Sequence, residues 1–104
     1  MEAQEIFLKE NFKYLRMRKK LTQEGVARDL GMSRDKLKAI ETGKTVNPSI
    51  YDVVKISRYF KIATDTLLTI NLSKLGELKM RELESGTDVY LPGKNIRVLA
   101  MNSN

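Results

Sequence analysis

The chain has no cysteine and no histidine. Without cysteine it can form no disulfide and offers no thiolate to a metal. Without histidine it lacks the base of the Ser-His-Asp and Cys-His schemes and the usual zinc ligand. Clustered carboxylates and a glycine-rich phosphate loop are also missing, so the chain reads as a non-enzyme that needs no cofactor. No run approaches the roughly 20 apolar residues of a membrane-spanning helix. The opening stretch MEAQEIFLKE is acidic and does not read as a signal peptide. The compartment these absences imply is the cytoplasm, with no membrane partner. Repeats and low-complexity tracts are absent too.

What the sequence does have is positive charge, concentrated in one region. Its 104 residues suit one domain with a short appendage, and 19 Lys/Arg against 13 Asp/Glu leave a net charge of +6. Between Lys9 and Lys61 there are 14 basic and 6 acidic residues; Glu2 and Glu5 precede them, and the remainder carries 5 of each sign. The excess therefore lies entirely in the first two-thirds. Such a field draws polyanions, nucleic acid first and anionic membrane second.

Hydrophobic spacing predicts a run of short helices. Ile6, Phe7, Leu8, Phe12 and Leu15 place the first over about residues 5–19. Thr22 is the expected N-cap of the second, which carries Val26, Ala27 and Leu30 and ends at Gly31. Ser33 caps the third, with Leu37 and Ile40 inward, and Gly43 closes it. A fourth opens after Asn47-Pro48 at Ser49 and carries Ile50, Val53, Val54, Ile56, Tyr59 and Phe60. The two aromatics read as core rather than as a stacking platform. Ala63 or Thr64 opens a fifth through Leu67-Leu68. Leu72, Leu75, Leu78 and Leu83 line a possible sixth, to about Glu84, despite Gly76. Thr87–Leu91 and Ile96–Met101, around Pro92-Gly93-Lys94-Asn95, read as a β-hairpin.

The decisive stretch is Thr22 to Gly43: helix, a short turn containing Gly31, helix. With Leu37 and Ile40 inward, Arg34, Asp35, Lys38, Ala39 and Thr42 fall on the outward face of the third helix. In a DNA major groove, the Arg34 fork matches guanine O6 and N7, and Lys38 can reach a guanine or a phosphate. Asp35 can accept from a cytosine amino group, and Ala39 can touch a thymine methyl. Asp35 has a second reading, as an acid stabilising the N-terminal end of its helix. Lys19-Lys20 resembles a phosphate patch but also an ordinary solvated helix end. No role is assigned to Lys36.

Residues 9–68 resemble the phage-repressor and Cro type of helix-turn-helix domain, the xenobiotic-response-element family. The resemblance runs through Leu15-Arg16, Leu21-Thr22-Gln23, Val26-Ala27, Leu30-Gly31, Ser33-Arg34, Leu37, Ile40-Glu41, Gly43-Lys44, Pro48-Ser49 and Leu67-Leu68. It implies an all-α fold, a five-helix lambda-repressor-like bundle over residues 5–69 with the third helix in the major groove. It implies base contacts from Ser33, Arg34, Asp35, Lys38 and Ala39. It implies phosphate contacts from Thr22, Gln23, Thr42, Lys44 and Asn47. It also implies an ion pair between Arg16 and Glu41 that orients the third helix. Gly25 inside helix two, Lys61 where a glycine commonly ends helix four, and the small Ala39 depart from the family pattern.

The function expected on this basis is a bacterial or phage transcriptional regulator, a repressor binding a pseudo-palindromic operator in double-stranded DNA as a homodimer. The alternative is an antitoxin, or another protein-interaction module of the same fold, with a toxin as partner. Residues 70–104 form a C-terminal extension with two open readings. One is a dimerisation element. The other is a linker to a further domain, because Asn95–Met101 resembles the first strand of the self-cleaving domain of LexA-like repressors.

Overall fold

A computed structural model describes residues 5–85. Among them the chain is entirely helical, in the order α1 (Leu8–Arg18), α2 (Gln23–Leu30), α3 (Arg34–Thr42), α4 (Ile50–Phe60), α5 (Thr64–Thr69), a single 3-10 turn (Leu72–Lys74) and α6 (Glu77–Ser85). None of these helices is long and apolar enough to cross a membrane. The hairpin expected over 87–101 lies outside the described residues.

Local chemistry sets most helix ends. The hydroxyls of Thr22, Ser33 and Ser49 accept from the backbone N–H groups of Gly25, Lys36 and Asp52 at 2.9, 3.0 and 3.1 Å. Each satisfies one of the donors a helix start leaves open. Gly31 and Gly43 end α2 and α3 at φ of 70° and 83°, the left-handed conformation that costs glycine little. Lys61 closes α4 in the same conformation, φ 57°, without being a glycine.

Two expectations need correction. The first helix starts at Leu8, and the backbone N–H of Phe7, its N-cap, donates to the carbonyl of Leu68 at 2.7 Å. Ile6 therefore lies outside the helix, 51% exposed, rather than on its apolar stripe. The sixth helix is divided: Gly76, at φ 88°, separates the 3-10 turn from α6.

The core is built from one face of every helix. Phe12 and Leu15 of α1, Val26, Ala27 and Leu30 of α2, Leu37 and Ile40 of α3, Val53, Ile56 and Phe60 of α4, and Leu67 of α5 are buried together. Ala27 leaves α2 room to cross α3 closely. The Phe12 and Phe60 rings meet edge to face with centroids 6.2 Å apart. Leu72 and Met80 join the same core, so the turn and α6 pack onto the bundle.

One buried polar side chain ties the C-terminal part to α1. The Asn11 amide donates to the carbonyls of Leu67 and Ile70, both at 2.7 Å, and its carbonyl accepts from the N–H of Leu72 at 3.0 Å. It meets orphan groups where α5 ends. On the surface, Arg18 of α1 bonds Glu77 and Glu84 of α6, each at 2.8 Å. These bonds hold the Glu77 carboxyl down to about 2, with Arg81 assisting, and hold Glu84 below the usual carboxylate range.

Candidate nucleic-acid interface

The helix-turn-helix is assembled by α2, the turn Gly31–Ser33 and α3. Gly31 reverses the chain, and the N–H of Met32 returns to the carbonyl of Ala27 at 2.9 Å. Leu37 and Ile40 anchor α3 in the core, and its remaining face is left to solvent. On that face Ser33, Arg34, Asp35, Lys38 and Thr42 are exposed and Ala39 is half-buried. Lys44 and Asn47, in the loop after α3, are exposed as well, as is Thr22, while Gln23 is half-buried.

A chain of side-chain hydrogen bonds fixes α3 at both ends. Arg16 Nε donates to Glu41 Oε2 at 2.7 Å and Nη2 donates to Oε1 at 3.1 Å. The third arm, Nη1, donates to the Leu21 carbonyl at 2.9 Å. The Glu41 side chain is only 2% exposed. A fork-to-fork pair in such a setting gives geometric definition more than net stability. The Gln23 amide donates to Glu41 Oε1 at 3.2 Å, and the Gln23 carbonyl accepts from Arg34 Nε at 3.3 Å. The route Arg16–Glu41–Gln23–Arg34 thus joins α1, the last turn of α3, the start of α2 and the start of α3.

Three hydroxyls near this face already have work. Those of Thr22 and Ser33 accept as caps, and their protons are left for another acceptor. The Thr42 hydroxyl donates back to the carbonyls of Lys38 and Ala39 at 2.9 and 3.4 Å. The Arg34 guanidinium spends only Nε on Gln23. Its two terminal nitrogens form the fork that suits a planar acceptor pair.

Further positioning contacts carry no local signal in the sequence. Lys36 Nζ meets Asp52 Oδ2 at 2.9 Å, joining α3 to α4, and Asp52 is buried. Lys36 therefore braces α3 against α4. The Tyr59 hydroxyl donates to Asp29 Oδ2 at 2.7 Å, joining α4 to α2 and raising the Tyr59 pKa. Phe60 is buried and Tyr59 half-buried against it, so neither is a platform for bases. Gly25 lies in the first turn of α2, where a Cβ would come within 3.1 Å of the capping Thr22 Oγ1.

Residues 10–72 match the helix-turn-helix domain family. The chain belongs to that family. An uncharacterized HTH-type transcriptional regulator of Methanocaldococcus jannaschii is 38% identical over 60 residues, covering 58% of this chain and 89% of that protein. No solved structure matches significantly. The matched residues of this helix-turn-helix domain take in α2, α3, the bracing pair Lys36–Asp52 and the whole route from Arg16 to Arg34.

Proposed function

We propose that the protein is a transcriptional regulator that binds double-stranded DNA sequence-specifically, with α3 in the major groove. The observation that carries this reading is the exposed cationic face of α3, with Arg34 oriented by Gln23 and its terminal nitrogens turned to no protein acceptor among the described residues. Membership of the helix-turn-helix family and the likeness to an HTH-type transcriptional regulator support it.

In this reading Arg34 takes guanine O6 and N7, Lys38 reaches a neighbouring base or phosphate, and Ser33, Asp35 and Ala39 line the base edges. Thr22, Gln23, Lys44 and Asn47 hold the backbone on either side, and Thr42 joins them once its hydroxyl turns from the α3 carbonyls. Residues 5–69 form the DNA-binding domain, and residues 70–104 pair two copies on a pseudo-palindromic operator. Occupying a promoter then represses transcription without any chemistry from the protein.

Selection of bound sites from a random duplex library at physiological salt tests this. Enrichment of an inverted repeat, with half-sites about one helical turn apart, is the expected result. A library left unenriched, with binding that depends only on salt, overturns sequence-specific recognition. A selected single half-site overturns the dimer.

A further inference from the structure

Lys9, at the start of α1, lies far in sequence from the DNA-facing loop, yet its side chain crosses the end of the recognition helix. A Cβ built on Gly43 would come within 2.9 Å of Lys9 Cδ and 3.1 Å of Lys9 Nζ. The bare Cα of Gly43 is what admits the lysine, so this glycine serves a close approach as well as its φ of 83°. The Lys9 stem also walls an apolar hollow with Leu8, Ile40 and Pro48. Burying methylenes there while the charged end stays in water is the usual compromise of a long cation.

Among the described residues the ammonium has no counter-ion. Lys9 is exposed and takes part in none of the ion pairs among the described residues. The residue after Gly43 is another exposed cation, Lys44. The carbonyl end of α3 favours one nearby positive charge. Two exposed cations brought to the same end of α3, Lys9 by α1 and Lys44 by the chain itself, favour an anion there. Thr45 and Asn47, in the same loop, add polar groups.

We propose that Lys9 is a further DNA-backbone contact, delivered by α1 to the phosphate approached by Lys44 and Asn47. The assignment rests on the DNA-binding reading above and extends it from the helix-turn-helix to α1. A phosphate contact carries no sequence information. It positions α3 in the groove and adds a counter-ion-release contribution to affinity.

The test is the salt dependence of duplex affinity for the wild type, Lys9→Met and Lys9→Arg, on the selected site and on a random duplex. Methionine keeps an unbranched stem over Gly43 and removes the charge. Thermal melting checks that each variant folds. Lys9→Met is expected to weaken both duplexes by the same factor and to lower the slope of log affinity against log salt by about 0.9. Lys9→Arg is expected to retain the wild-type slope. A lower melting temperature for Lys9→Met with the slope unchanged overturns the proposal and leaves Lys9 a cap on the α3 dipole. A wild type that binds neither duplex overturns the DNA reading itself, and this assignment with it.

Discussion

At the scale of single residues, the informative ones are those whose polar groups are committed. Asn11 uses both its donors and its acceptor inside the protein, on Leu67, Ile70 and Leu72. Asn11→Ala leaves two carbonyls and one N–H unpaired, and urea unfolding should show a loss of about 1–3 kcal/mol. An unchanged midpoint would mean that water replaces the amide freely. Neither Asn11 nor the Lys36–Asp52 pair was legible in the sequence. An asparagine on a helix otherwise read by its apolar stripe gives no sign of burial. Its partners lie 56 to 61 residues away. The hydrophobic period did place Leu37 and Ile40 inward, because that inference needs only the helical repeat.

At the scale of elements, the ends of α2, α3 and α4 were legible because caps are local. A Thr or Ser three residues before its donor, and a glycine at the close, are chemistry the chain carries within one turn. Where the local signal was weaker the boundaries moved. α1 begins at Leu8, after the Phe7–Leu68 backbone bond, and Gly76 divides the sixth helix. Lys61 is the departure whose outcome is clearest: it adopts the left-handed close of α4 in spite of its Cβ. Lys61→Gly removes a strain of about 1 kcal/mol, and the melting temperature should rise by about 4–8 °C per kcal/mol gained in a domain of this size. A fall on that substitution would show that the lysine side chain contributes more than its backbone costs.

At the scale of the whole molecule, two networks hold the bundle together, and they differ in their exposure. Arg16–Glu41–Gln23–Arg34 orients α3 and runs from a withdrawn end at Arg16–Glu41 to an exposed one at Arg34. Its members were legible only in part: the Arg16–Glu41 pair follows from the family resemblance, whereas Gln23 as a link to Arg34 follows from geometry alone. Arg18–Glu77–Glu84 is more exposed and docks α6 on α1. Both carboxyls are depressed in the folded state, so they bind fewer protons folded than unfolded. Their contribution is therefore present above the unfolded carboxylate pKa, about 4.3, and is lost as the pH falls towards 2. Denaturation midpoints of the wild type and Arg18→Gln should differ by a constant amount above about pH 5 and converge near pH 2. The gap should be small and should shrink in high salt, since Glu77 is exposed and Arg18 and Glu84 are partly so. A gap that persists at pH 2 would assign the effect of Arg18 to packing rather than charge.

In the proposed function Arg34, held by Gln23 at the start of α3, reads a base. The measurement that tests it most directly is the affinity of the wild type and Arg34→Ala for the selected site and for its single-base-pair variants. The wild type should lose about 1–3 kcal/mol when one guanine in each half-site is replaced. Arg34→Ala should be indifferent at that position while keeping its preferences elsewhere. Loss of affinity by Arg34→Ala that is uniform across all variants, with the guanine preference intact, would contradict it.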